Sequence, residues 1–225
     1  MPDLVGLGFS DHPKDARLHT IDFHATQLAG LVRALGLDRF VLVVQDWGGA
    51  IGLRWAVEHA DQVGRLVIMN TGLFTGRVSK GFMAWRNFAE RTPDLPVGMI
   101  IQGATTADLA PEIVAAYEAP FPTPESKAGA QMFPLLVPLT EDAPGVAEML
   151  AVQDALSRWE KPTLVAFSDS DPVFPYPKSG TVFTDLIPSA GEQVCIEGAA
   201  HFLQEDRGPE IVDAIFAAFG RPIGG

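Results

Sequence analysis

The sequence predicts an α/β fold: a doubly wound, mostly parallel sheet with an inserted helical cap. Two observations carry this. Short apolar, β-branched runs alternate with stretches of helical periodicity, the order of strands and helices in a parallel sheet. One long segment between two of those runs holds no convincing strand at all.

In chain order, Leu28, Leu31, Val32 and Leu35 recur at helical spacing after Thr20, a residue suited to a helix start, and Gly36 suits the stop. Residues 39–44, Arg39 followed by an unbroken apolar run, predict a strand buried on both faces. Residues 48–59 predict a helix and residues 65–70 a second buried strand; residues 163–168 and 193–197 predict a third and a fourth. The C-terminal helix carries Ile211, Ile215, Phe216 and Phe219 on one face. Between positions 75 and 159 lie nine of the 18 prolines and four of the six methionines. This stretch predicts short helices at the carboxyl ends of the strands, where α/β proteins place their sites. The expected division is core over 1–74 and 159–225, with the cap over 75–158.

Composition narrows the function. The chain has 225 residues and is 47% apolar, enough for one domain with an insertion. A chain this long buries roughly 70–75% of its unfolded surface without a disulfide or metal staple. Its 22 glycines and 18 prolines fall below the share, roughly 25–30%, that marks disordered chains. Sixteen basic residues stand against 28 acidic ones, a formal charge of −12, which disfavours nucleic acid and anionic membrane as partners. Cys195 is the one cysteine, so an internal disulfide and multi-cysteine metal sites are excluded. No apolar run reaches the roughly 18 residues of a membrane span. No metal and no cofactor is expected, and the expected form is a cytoplasmic monomer without a signal peptide. Met1, Pro2 and Asp3 lead directly into Gly6, Gly8, Ser10 and Pro13 with no strand or helix before them. The expectation is a core whose N-terminal strands are missing.

Three loops carry chemistry. In Val43-Val44-Gln45-Asp46-Trp47-Gly48-Gly49 a buried strand runs through a tight turn into a helix, as in a nucleophile elbow, with Asp46 at its tip. The alternative is an Asp that caps the helix. Ser168-Asp169-Ser170-Asp171-Pro172 follows the third strand. An acid there fits the residue that orients a histidine, although Asp-Ser-Asp-Pro is also ordinary turn chemistry. Glu197-Gly198-Ala199-Ala200-His201-Phe202 follows the fourth strand. Of five histidines only His201 falls on such a loop; His12, His19, His24 and His59 read as solvated or structural. Nucleophile, acid and histidine in this order, each just past a buried strand, follow the chain order of an α/β-hydrolase triad.

Residues 2–11, Val44-Gln45-Asp46-Trp47-Gly48-Gly49 and Ala200-His201-Phe202 resemble the haloalkane dehalogenases of the α/β-hydrolase superfamily, over the whole length of the chain. Gly81-Phe82-Met83-Ala84-Trp85, Ala119-Pro120-Phe121-Pro122 and Phe133-Pro134 resemble the cap of the subfamily whose acid follows the strand after the cap, as Asp171 does. In other subfamilies a carboxylate follows the preceding strand, where Asn70-Thr71-Gly72 offers none. The resemblance implies an α/β-hydrolase fold. It implies a small halogenated hydrocarbon and water as substrates, converted to a primary alcohol and halide. Asp46 would form an aspartyl ester, His201 would activate the water that hydrolyses it, and Asp171 would orient His201. Trp47 and Trp85 would bind halide through their indole N–H groups, and Phe82, Phe133 and Val173 would line the pocket. Ala50 stands where a bulky aromatic occurs in the family, which implies a roomier pocket. Of the oxyanion donors, the backbone N–H of Trp47 is the one this sequence carries. The rivals are an epoxide hydrolase of the same fold, which needs two cap tyrosines where this cap has only Tyr117, and an inactive, truncated homologue.

Overall fold

The computed structural model describes residues 1–220. Its helices and strands are α1 (Ile21–Ala34), β1 (Phe40–Gln45), α2 (Trp47–Glu58), β2 (Val63–Met69), α3 (Lys80–Arg91), α4 (Val97–Gly103), α5 (Pro111–Glu118), α6 (Ala128–Leu136), α7 (Val146–Leu156), β3 (Thr163–Ser168), α8 (Lys178–Leu186), β4 (Val194–Ile196) and α9 (Leu203–Phe219). Thr20 starts α1 by accepting a hydrogen bond from the Phe23 N–H at 3.1 Å, and Gly36 beyond its end has φ +61°.

Among the described residues the sheet has four parallel strands in the order β1-β2-β3-β4. Alternate side chains of β2 and β3 enter two separate cores. Leu66, Ile68, Val165 and Phe167 pack with α1, α2, α7 and α8 on one face. Val67, Met69, Leu164 and Ala166 pack with Leu203 and Ile211 of α9 on the other. The doubly wound arrangement follows directly, since β2 and β3, apolar on both faces, need an apolar layer on both sides.

One strand departs from expectation. Among the described residues β1 is an edge strand, and α9 packs mainly on β3 and β4. Val44 is buried, but Val41 and Val43 on the other face are 40% and 46% exposed. An unbroken apolar run therefore does not mean burial on both faces here.

In register, Gln45 lies opposite Met69, Met69 opposite Ala166, and Ser168 opposite Ile196. The carboxyl ends of all four strands thus open at one edge. The segment between β2 and β3 contributes α3–α6 over that edge. Its last helix, α7, packs instead on α2 and buries Met149, Val152 and Leu156 in the core. None of the described helices is long and apolar enough to cross a membrane.

Candidate active site

Asp46 occupies the turn between β1 and α2 with φ +48° and ψ −121°. A non-glycine residue in such a conformation costs about 1–3 kcal/mol and persists only where its surroundings hold it. They do. Its N–H donates to the Asn70 carbonyl at 2.9 Å, and its carbonyl accepts from the Gly49 N–H at 2.9 Å and from the Thr71 hydroxyl at 2.7 Å. A Cβ on Gly49 would stand 1.9 Å from the Thr71 Oγ1, so only glycine fits. The Asp46 side chain makes no capping hydrogen bond, which removes the helix-cap alternative. Its carboxylate is left free to face the cavity.

His201, on the loop between β4 and α9, has Nδ1 2.9 Å from Asp171 Oδ2 and Nε2 3.8 Å from Asp46 Oδ1. A carboxylate only accepts, so Nδ1 carries the proton. Nε2 points toward Asp46 from beyond hydrogen-bond distance. The Asp171 side chain is fully buried, and its other oxygen accepts from the Val173 N–H at 2.7 Å. The turn role expected for this loop falls to Asp169, which accepts from the Gly198 N–H. Phe174 stacks along the His201 ring at 6.0 Å and Phe202 meets it edge-on at 5.0 Å.

Burial pushes the Asp46 carboxyl above its ordinary range, although the His201 charge and the Trp47 N–H oppose the shift. The Asp46 side chain remains about a third exposed and lines the cavity. For His201 burial works the other way, lowering the pKa. The hydrogen bond to Asp171 and the charges of Asp46 and Asp171 outweigh it and leave the imidazole raised.

A cavity of about 1910 Å³ joins these groups. Asp46, His201, Trp47, Trp85, Phe82, Phe133 and Val173 all line it, and Asp171 sits behind His201. Trp47 packs between Phe74 and Phe133, with ring centroids at 5.1 and 4.9 Å. Ala50 is fully buried and is not part of the cavity wall, so the cavity's size has another source. Tyr117 also lines the cavity, but its hydroxyl is hydrogen-bonded to Glu205. No group of three or more metal-binding side chains occurs among the described residues.

A haloalkane dehalogenase from Mycobacterium marinum is 41% identical over 219 residues, covering 96% of this chain and 73% of the relative. The chain belongs to the haloalkane dehalogenase family. A second haloalkane dehalogenase, from Psychrobacter cryohalolentis, is 38% identical over 93% of this chain and 70% of its own. The family profile of the alpha/beta hydrolase fold matches residues 1–111. Among solved structures, the haloalkane dehalogenase DpaA from Paraglaciecola agarilytica, described as tetrameric, superposes with a TM-score of 0.89 at 30% identity. That match covers 99% of this chain and 73% of DpaA.

As a haloalkane dehalogenase family member the chain is a hydrolase, and its site holds residues that the motifs did not single out. Asn70 is fully buried, and its amide donates to Ser168 Oγ at 2.6 Å and to the Ala200 carbonyl at 3.2 Å, while its oxygen accepts from the Ser168 N–H. It ties the ends of β2 and β3 to the residue before His201. Ser79 starts α3, the helix carrying Phe82 and Trp85, and its hydroxyl donates to the Val173 carbonyl at 2.8 Å. Gly81 lets α3 approach closely, since a Cβ there would meet the Pro172 carbonyl oxygen at 2.1 Å. The only sequence signal for these residues is a polar or small residue beside a strand end or helix start. Their partners lie about a hundred residues away.

Proposed function

We propose that the chain hydrolyses small haloalkanes to a primary alcohol and halide through an ester on Asp46. The observation that carries this reading is the set of Asp46 and His201 side chains facing one largely apolar cavity, with Asp171 bonded to His201 from behind. Asp46 attacks the carbon bearing the halogen. The carbon–halogen bond breaks and the halide leaves with the electron pair. A carboxylate needs no base for this step. The Trp47 and Trp85 indoles supply donors to the departing halide, each worth about 1.5–3 kcal/mol toward a charged acceptor. Phe82, Phe133 and Val173 shape the apolar wall that receives the alkyl group, under the roof formed by α3–α6.

Water then adds to the ester carbonyl of Asp46 as Nε2 of His201 takes its proton. The backbone N–H of Trp47 donates to the resulting oxyanion. The alkoxide leaves with the proton from His201, giving the alcohol and restoring the carboxylate. The electrostatics time this sequence. The negative charge of Asp46 helps to hold the His201 pKa up. Once Asp46 is esterified that charge is gone, the imidazole becomes less basic and loses its proton more readily, and it can act as the base.

The epoxide-hydrolase rival has less support. The hydroxyl of the one cap tyrosine, Tyr117, is engaged by Glu205, and Tyr176 is not part of the cavity wall. The test is to assay the purified chain with 1-bromobutane and 1,2-dichloroethane, and with styrene oxide in parallel. The expected result is one halide released for each alcohol formed. Diol formation from the epoxide without halide release from either haloalkane would overturn the proposal.

A further inference from the structure

We infer that Asp206 is a positioning residue for His201: its carboxylate fastens the loop between α4 and α5 of the roof to the loop that carries the histidine. The inference deepens the proposed function and rests on His201 acting as the base of the second step.

Asp206 lies in the first turn of α9, five residues after His201. An acid at this place would need no more than the helix dipole to explain it. Its hydrogen bonds go elsewhere. Oδ2 accepts from the Ala200 N–H at 2.8 Å. Both oxygens accept from the Thr106 N–H, at 2.9 and 3.0 Å, and Oδ1 also accepts from the Ala107 N–H at 2.8 Å. One carboxylate therefore binds backbone donors from two segments about a hundred residues apart. Three further bonds reinforce the same seam. The Thr106 hydroxyl donates to the Gly198 carbonyl at 2.7 Å, the Phe202 N–H donates to the Ala104 carbonyl at 3.1 Å, and the Tyr117 hydroxyl bonds Glu205.

The consequence for His201 lies in Ala200, the residue before it. The Ala200 N–H is held by Asp206 from the roof side, and its carbonyl by Ser168 Oγ at 2.7 Å and Asn70 from the sheet side. With both polar groups fixed, the backbone entering His201 has one conformation. That conformation aims Nδ1 at Asp171 and Nε2 at Asp46. By contrast, the His201 carbonyl accepts a longer bond, from the Gln45 amide at 3.2 Å. Burial acts against ionisation of Asp206, yet the N–H groups of Ala200, Ala107 and Thr106 hold its pKa below the usual carboxylate range. The fastening stays charged at any pH where His201 titrates. Ala104, Thr105, Thr106, Ala200 and Phe202 all face the cavity, so the seam is part of the wall beside the reacting groups.

The test uses Asp206→Ala and Asp206→Asn; the second keeps the side-chain volume and one oxygen, and serves if the first does not fold. Rapid-quench measurement with 1-bromobutane separates the bromide burst, which reports ester formation, from the later steady phase, which reports ester hydrolysis. NMR titration follows the His201 imidazole without any need for turnover. The expected outcome is a burst within about twofold of the parent chain and a steady phase slowed about 10–100-fold, the scale of a small misplacement. The His201 pKa is expected to fall toward the ordinary histidine value. General destabilisation would slow both phases together and leave that pKa in place, and this result, or no change in either readout, overturns the inference. If the parent chain releases no bromide while the His201 titration still moves in the variants, the dehalogenase reading fails and the fastening stands.

Discussion

His19 and His24 are fully buried between the N-terminal segment, α1 and α6, with His19 Nδ1 3.4 Å from His24 Nε2. The His24 ring lies 5.2 Å from Phe23 and 4.8 Å from Phe133, which in turn packs on Trp47, and the His24 Nδ1 has no hydrogen-bond partner among the described residues. Burial, with a smaller push from His19, depresses the His24 pKa from 6.5 to about 4. The sign follows. Above pH 6.5 the histidine is neutral in both states and the fold keeps its full stability. As pH falls from 6.5 toward 4, the unfolded chain binds a proton that the folded one refuses. Stability then drops by about 1.4 kcal/mol per pH unit, up to about 3 kcal/mol in all. Between pH 7 and pH 5 the His24 share is about 2 kcal/mol. The perturbation is His24→Phe, which fills the ring volume and cannot be protonated. Urea unfolding of both proteins at pH 7 and pH 5 gives the assay, and carboxylates common to both cancel in the difference. The parent chain should lose about 2 kcal/mol more than the variant over that interval. An equal loss in the two proteins would refute a neutral, buried His24.

Gly49→Ala should destabilise the fold by about 1–3 kcal/mol in urea unfolding, because the new methyl collides with the Thr71 Oγ1 that holds the Asp46 carbonyl. Gly48→Ala, with nothing within 4 Å of the added methyl, should change stability by no more than about 1 kcal/mol. Trp47→Phe and Trp85→Phe should each slow ester formation, read as the bromide burst, by about 10–100-fold, the loss of one donor to a charged group. The rate of ester hydrolysis should fall as pH drops, since the base form of His201 is needed. Its limb should lie below the His201 pKa measured by NMR in the free enzyme, where the Asp46 charge still raises it.

Asp46, Asp171 and His201 were legible in the sequence because each follows an apolar run that became a strand, and parallel strands bring their carboxyl ends to one edge. The cavity-facing positions of Trp47, Trp85, Phe82, Phe133 and Val173 were legible through resemblance. Periodicity alone would have left Trp85 and Phe133 as core residues. Burial was less readable. Residues 40–44 are continuously apolar, yet Val41 and Val43 lie exposed on a strand at the edge of the described sheet, and no local pattern encodes a strand's place in the sheet. His19 and His24 sit among polar neighbours in sequence but are closed over by α6, more than a hundred residues later. Asn70 bonds backbone groups 98 and 130 residues away, and Asp206 joins the nearby Ala200 N–H to backbone groups about a hundred residues away; a backbone group has no sequence signature.

Covalent capture of the alkyl group by Asp46 is the step on which the rest of the mechanism depends. His201→Phe removes the base of the second step and leaves the nucleophile untouched, so the ester should accumulate. With 1-bromobutane this variant should release one equivalent of bromide in a burst. Peptide mass spectrometry should then find one butyl group on the fragment containing Asp46. Steady multiple turnover by His201→Phe, or a butyl group on any other residue, would contradict the assignment.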